Sequence, residues 1–450
     1  MNKILLDPFE EAMQLAGQRG NWIVGVVETQ VYWPTRKQLI FYEDKQFLLL
    51  PNNKPSQFFN GTPSPGIAIR ADTYGLTREQ ARQEIMCFAS ALAWSEENQI
   101  EIVSWAGGRS PESHGIPKNI GISRYLSSEF MPTPINEAGK TALAFFREGI
   151  SLSNPFYSFL SLYKAFSIAV PNGRDRNQWI KNKRKDINYP AAKERLVELE
   201  TGGTDVSDYL YRQCRHAIAH ADNDQFVNPD NTDDHYRLSQ DLPLIRNFAE
   251  LAIEEGLGIK RKSTIYSEHL YELEGFRKIF TSEFIESLKS DSNDLTVTVD
   301  VPDNLLFFAK KEHEQFPLPE MRAVEGFNNE DGILLVFESK NGVIKLQVFI
   351  DFTNEKLRFD PQQDICFSQN HEKKECIKEE LAGIRFQLCI LSNGHLEIWN
   401  ESTVTRLGMS EGYIPLNCFV NHGYFDQHTR KLEELIKSHA GEDENKQSVL

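Results

Sequence analysis

The chain has 450 residues, a formal net charge of −16 and a marked share of phenylalanine among its aromatics. That length exceeds what one hydrophobic core usually serves, so two or three domains are expected. The acidity argues against a protein coated in basic surface for duplex DNA, although a local basic pocket remains compatible with it.

Six cysteines (Cys87, Cys214, Cys366, Cys376, Cys389, Cys418) are scattered without C-x-x-C spacing, which suits reduced thiols better than a disulfide framework. Asp7, Glu10 and Glu11 stand where a signal peptide would need an apolar run, and no apolar stretch approaches the length of a membrane span. A soluble, cytoplasmic protein is the expectation.

Residues 1–134 read as an α+β domain. Trp22–Glu28, Gln38–Tyr42, Gln46–Leu50 and Ile67–Ala71 are strand-like, with a polar turn at Glu43-Asp44-Lys45. Thr77-Arg-Glu-Gln80 has the spacing of a capping box. It opens a helix to about Trp94 with Ile85, Phe88, Ala89, Leu92 and Ala93 on one side. Ile100–Trp105 is a further strand. It runs into Ala106-Gly107-Gly108-Arg109-Ser110, read as a turn rather than an anion cradle because it lacks Walker spacing.

The pattern turns helical over residues 135–292, expected to form an all-α bundle. Ala138–Ile150 is one helix. Asn154-Pro155 supplies a cap and a proline at the first helical position of the next, whose Phe, Leu and Tyr residues belong to a core. Arg174, Arg176, Trp179, Lys181, Lys183, Arg184 and Lys185 then form a basic run in an acidic protein. It reads either as a solvated helix face or as a phosphate-contacting patch with Trp179 free to stack on a base. A short helix over Pro190–Glu200 and a Gly202-Gly203 hinge lead into Tyr209-Leu-Tyr-Arg-Gln-Cys-Arg-His-Ala-Ile-Ala-His-Ala-Asp222. On a 3.6-residue period, Leu210, Cys214 and Ala217 share an inward stripe, and His216 and His220 share another. Helices over Asp241–Glu255 and Ser267–Leu288 complete this part.

Residues 293–440 read as an antiparallel sandwich or barrel with a terminal helix near Thr429–His439. Leu295–Val301 alternates strictly; Ile333–Phe337, Val343–Phe352, Ile384–Leu391 and His395–Trp399 repeat the theme, and Ser392-Asn393-Gly394 is a hairpin turn. Residues 441–450 form a polar tail expected to be disordered. The fold class is therefore multidomain α+β.

Arg215, polar His216 and His220, late in a helix of a small helical domain, resemble the R-x(4–6)-H motif of the HEPN superfamily. That resemblance implies a metal-independent endoribonuclease of the bacterial defence or toxin kind. It would act on single-stranded RNA, need no cofactor and work as a homodimer whose paired motif helices make one site. It also implies His220 as acid/base, Arg215 as phosphate clamp and His216 as an auxiliary polar group, although His at that place is less usual than Asn or Asp. The flanking domains would recognise a trigger or partner. The three-domain layout and Phe88–Trp94 are also similar to MauJ-type proteins, whose helical domain would serve dimerisation or ligand sensing without catalysis. Two plainer readings of the histidines stay open. One is a solvated or carbonyl-bonded pair; the other is a zinc site of His216, His220 and Asp222, which has suitable ligand types but no H-E-x-x-H and no nearby cysteine.

Overall fold

The computed structural model describes residues 8–51, 62–115, 121–123, 126–128, 130–134, 136–220, 226–289, 302, 305–312, 314–328, 331–368, 373–412 and 419–447. Two compact units emerge, residues 8–265 and residues 266–447. Together they hold a mixed α+β fold. An antiparallel sheet with helices comes first, a helical region follows, and a nearly closed antiparallel sheet comes last.

In the first unit, helix α1 (Pro8–Gly17) precedes strands β1 (Trp22–Thr29), β2 (Gln38–Tyr42), β3 (Lys45–Leu50) and β4 (Gly66–Arg70). Helix α2 (Arg78–Ser95) and strand β5 (Ile100–Gly108) follow. The sheet runs β2-β3-β4-β1-β5 with every neighbour antiparallel. Both its faces are covered. Ile23, Phe47, Ile67 and Ile69 meet Ile85, Phe88 and Leu92 of α2. Trp22, Val24, Leu48 and Ala68 meet Ala12 and Ala16 of α1. That is why β1 and β4 are continuous apolar runs rather than alternating ones.

The capping box of α2 forms as its sequence predicts: the Gln80 N–H donates to Thr77 Oγ1 at 3.2 Å and the Thr77 N–H to Gln80 Oε1 at 2.9 Å. The Gly-Gly segment is not a turn. Ala106, Gly107 and Gly108 stay in β5 opposite Val24, Ile23 and Trp22. A Cβ on Gly107 would lie 2.8 Å from the Trp22 carbonyl, so glycine permits the close strand approach.

The helical region of the same unit comprises α3 (Glu137–Ser151), α4 (Pro155–Ala169), α5 (Gly173–Lys183), α6 (Pro190–Thr201), a π-helix over Tyr209–His216 and the long α7 (Thr232–Gly256). One core unites them, built from Phe146, Phe159, Phe166, Leu210, Leu244, Phe248 and Ile253, and Trp94 of α2 belongs to it. Arg147 of α3 donates to Ser90 Oγ at 3.0 Å, and Trp94 Nε1 to the Lys260 carbonyl at 3.0 Å. Sheet layer and helical region are thus joined by buried polar contacts as well as apolar ones. The expected helix over Asp241–Glu255 begins nine residues earlier, at Thr232, with Asn231 as its cap and Pro243 inside it.

The expected helix over Ser267–Leu288 is broken: a short helix, Lys262–Ser267, ends where it should begin, and within the second unit only Phe276–Ile279 and Ser282–Lys289 of that span are helical. Phe276, Phe280 and Phe284 plug the core of the sheet that follows. Its strands are β6 (Leu305–Lys311), β7 (Glu314–Pro317), β8 (Met321–Asn328), β9 (Gly332–Ser339), β10 (Ile344–Asp351), β11 (Lys356–Arg358), β12 (Ile365–Phe367), β13 (His395–Asn400) and β14 (Thr405–Ser410). The order is β11-β10-β9-β8-β6-β13-β14, with β7 beside β6 and β12 beside β10.

The expected strand Ile384–Leu391 is instead the end of helix α8 (Lys374–Leu391). Cys376, Phe386, Cys389 and Ile390 of α8 face the sheet, while Ile377, Leu381 and Ile384 face helix α9 (His422–Gln447). A helix covered on two sides is apolar most of the way round, and over eight residues that cannot be told from a strand. Ser392-Asn393-Gly394 is the exit of this helix, with Asn393 at φ 68°. Helix α9 takes in seven residues of the segment expected to be a polar tail. The alternating stretch Leu295–Val301 lies outside the described residues.

The sheet contains a buried charge cluster. Glu397 accepts from Trp399 Nε1 at 2.6 Å and pairs with Lys310 at 2.5 Å, His395 at 3.2 Å and Arg406 at 3.6 Å. Burial opposes its ionisation, but His395 and Lys310 outweigh burial and hold the carboxyl at about 2. A folded-state value below the ordinary 4.5 stabilises the fold fully above about pH 4.5, and that stability drains away as pH falls towards 2. Glu397→Gln should therefore flatten the loss of urea resistance across that window and lower stability at pH 7 by about 3 kcal/mol, the scale of breaking a buried pair. An unchanged acid profile would contradict the assignment.

Candidate active site on a π-helix

The motif segment starts at Asp205, whose carboxylate accepts from the N–H groups of Ser207 at 3.0 Å and Asp208 at 3.3 Å and pairs with Lys181 at 2.9 Å. The hydrogen bond from Lys181, more than those from Ser207 and Asp208, lowers the carboxyl to about 2. A short turn, Val206–Asp208, runs into the π-helix. The inward stripe is as its sequence predicts, with Leu210, Cys214 and Ala217 buried. Burial, with Asp241 beside it, pushes the Cys214 thiol well up, so this cysteine is no nucleophile.

A π-helix of two turns is rare and needs support from its neighbours. Here that support is an ionic network from α6 and α7. Asp241, fully buried, accepts from Arg195 Nε at 2.8 Å, Tyr209 Oη at 2.8 Å and Cys214 Sγ at 3.4 Å. Arg237 donates to Tyr209 Oη at 3.2 Å and to the Gln213 carbonyl at 3.2 Å, so it caps the π-helix backbone directly. The two guanidiniums lie 5.8 and 5.9 Å from the Tyr209 ring centre. Burial opposes both charges, yet the hydrogen bonds to Asp241, Glu198 and Tyr209 raise both pKa values above the ordinary one. None of this was legible in advance. By sequence Asp241 is only the start of an expected helix, and nothing local marks it as buried.

The π geometry changes which side chains meet. In an α-helix, residues five apart lie about 140° from each other; bonding from i to i+5 places them on one face. Tyr211 and His216 are five apart, and their rings stack with centroids 6.1 Å apart. The helix reverts to α over Ala217–Ala219 and ends at His220, which is extended (φ −133°, ψ 95°) and exposed. The His216 and His220 rings lie 4.5 Å apart, centroid to centroid. Neither imidazole is in the core. Arg215 is half-buried and makes no side-chain hydrogen bond or ion pair among the described residues. Burial raises the Tyr163 phenol, and Arg176 and Arg215 both pull it back, which locates the two guanidiniums around one α4 tyrosine.

The basic run is more committed internally than its composition suggests. Trp179 packs against Phe166 and Phe248, with centroids 5.4 and 6.2 Å away. Arg176 donates to the carbonyls of Val170 and Pro171, both at 2.7 Å. Lys181 pairs with Asp205, Lys183 with Asp186 and Glu255, and Arg184 with Glu200. Only Arg174 and Lys185 of the run stay unpaired among the described residues. Lys181, Arg184 and Lys185 line an open cleft of about 740 Å³ with Glu200 and Asp205. Asp222, the third candidate zinc ligand, lies outside the described residues, and no group of three His, Cys, Asp or Glu suited to a metal occurs among those described.

Fold and site together define an α+β protein whose helical region presents an Arg–His motif on a π-helix held by a buried Asp–Arg network. Residues 142–254, from α3 almost to the end of α7, match the family model described as "Methylamine utilization protein MauJ". The whole candidate site falls inside the match, whereas Phe88–Trp94 falls outside it. No curated protein and no solved structure matches the chain. The chain is similar to that family over about a quarter of its length.

Asp241→Ala should cost about 3–5 kcal/mol, because it strands Arg195 and Arg237 beside a buried phenol. Urea denaturation of the purified protein measures this. A loss below about 1 kcal/mol would mean that the π-helix does not depend on the network.

Proposed function

We propose that the protein is an RNA-cleaving enzyme of the HEPN kind, in which Arg215, His216 and His220 act on single-stranded RNA. The observation that carries this reading is the placement of two imidazoles 4.5 Å apart, His220 at the exposed helix exit, on the same helix as Arg215, which makes no side-chain hydrogen bond or ion pair among the described residues. In the proposed reaction His220 takes the proton of a ribose 2′-hydroxyl. The 2′-oxygen attacks phosphorus, the P–O5′ bond breaks, and an imidazole returns a proton to the leaving 5′-oxygen. Imidazole titrates in the range for such work. A guanidinium stays charged and forks onto phosphate oxygens, which is the part given to Arg215. One chain supplies one copy of the motif, so a homodimer through the helical region is part of the proposal, as is a trigger recognised elsewhere on the chain.

A second reading is favoured by the neutralised basic run and by the family match. In it the helical region is a non-catalytic dimerisation or ligand-sensing module. His220→Ala separates the two. On the nuclease reading it abolishes cleavage of a model RNA while the melting temperature holds, since the exposed ring fills no core. Undiminished cleavage by the variant, or none by the wild type in either oligomeric state, leaves the module. EDTA should not lower activity, since a guanidinium stands where other nucleases use a divalent ion; loss restored by zinc would promote the metal site instead.

The pairing pattern also sets the electrostatics of RNA binding. Replacing both Arg174 and Lys185 with Gln should lower the log–log salt slope by up to about 1.4, at roughly 0.7 per phosphate contact on a single strand. An unchanged slope would show that RNA, if bound, enters elsewhere.

A further inference from the structure

In the second unit, strands β11 and β14 are the two ends of the sheet path, and they approach each other without pairing. Glu272 bridges them. Its carboxylate accepts from the Leu357 N–H of β11 at 2.8 Å, and its carbonyl accepts from the Met409 N–H of β14 at 3.1 Å. At this seam opens a cleft of about 650 Å³, within the range of small-molecule sites.

Six charged side chains line this cleft, Glu272, Lys356, Arg358, Asp360, Asp364 and Glu411, and two of them are left without a hydrogen bond or ion pair among the described residues. Lys356 on one lip and Glu411 on the other both line it, and neither makes a side-chain hydrogen bond or ion pair among the described residues, with each other or with any neighbour. Arg358, by contrast, is already taken by Asp351. His269 also lines the cleft. It has φ 53°, an uncommon conformation for a residue with a side chain, and Glu272 Oε1 tethers its Nδ1 at 2.7 Å. With Glu272 ionised, Nδ1 donates, so the neutral ring presents Nε2 as an acceptor. The cleft therefore holds one cation and one anion without a hydrogen bond or ion pair among the described residues, beside one oriented acceptor. Its other carboxylates are engaged: Glu272 holds His269 and the Leu357 N–H and draws on the Lys356 charge, Asp360 holds the Gln362 N–H and Asp364 the Gln347 amide.

We infer that this cleft binds a small zwitterion of the α-amino-acid type. Lys356 would take the carboxylate; Glu411 and His269 Nε2 would take the ammonium. A ligand with only one of these charges would leave the opposite protein charge unmatched in the same confined space, which makes the pairing selective. This site is independent of the π-helix and of any reaction there.

The test uses the full chain. Each of the twenty common amino acids is screened by thermal shift, and any that stabilises is titrated by calorimetry beside its N-acetyl and amide derivatives. At least one amino acid should bind, and blocking either charge should weaken it about tenfold or more, as expected for a lost charge-assisted hydrogen bond. In Lys356→Gln the amide should bind as well as the free amino acid. In Glu411→Gln the N-acetyl form should. Circular dichroism confirms that both surface variants fold. The inference falls if none of the twenty binds, if a blocked derivative binds the wild type as tightly as the zwitterion, or if neither substitution changes affinity.

Discussion

Asp241 is the residue on which the candidate site depends. A carboxylate with no exposure is costly unless its oxygens are filled, and here Arg195, Tyr209 and Cys214 fill them from two directions. Because Tyr209 and Cys214 are themselves π-helix residues, filling the carboxylate fixes the wound state of that segment. Arg237 then holds the Gln213 carbonyl. The position of the two imidazoles is thus decided by a charge network on other helices.

The same helix α7 carries a second buried set. Glu250 and Glu254 take Arg261 at 2.7 and 3.0 Å, and Glu250 also takes Arg246 at 2.9 Å. Burial raises the Glu250 carboxyl, and the two arginines oppose the rise. Asp241 and Glu250 are nine residues apart, about 14 Å along an α-helix. One helix therefore ties the motif segment at one end and the chain's exit from the helical region at the other.

Much of the fold could be read from residues alone where a local rule and the tertiary setting agree. Thr77 and Gln80 form their box, Asn154 and Pro155 begin α4, and the buried strands of the first sheet are uninterrupted apolar runs. The reading failed where a side chain's setting is decided from a distance. Ile384–Leu391 carries a pattern common to strand and buried helix, and α9 decides between them by covering the second face of α8. Nor does anything in the sequence signal that half-buried Trp179 packs against Phe166 and Phe248. Of the site, the residue types and the inward stripe were legible. The five-residue stacking of Tyr211 on His216 was not, because no local sequence rule calls for a π-helix and its stabilising charges come from positions 195, 237 and 241.

The seam of the C-terminal sheet bears on how that sheet can exist by itself. Two strand ends that come close without pairing are open edges, and open edges recruit other strands. In this protein the edges are occupied by chain that precedes the sheet: Glu272 takes an N–H from each lip, and the Gly275 N–H returns a bond to the Leu407 carbonyl at 2.9 Å. Cutting the polypeptide at the apparent linker near residue 293 would strip that cover together with Phe276, Phe280 and Phe284. The fragment left behind would carry bare edges and a hollowed core, the makings of a self-associating species. The segment from Tyr266 thus acts as a built-in guard against edge-to-edge assembly, and the smallest well-behaved piece of the C-terminal half begins there.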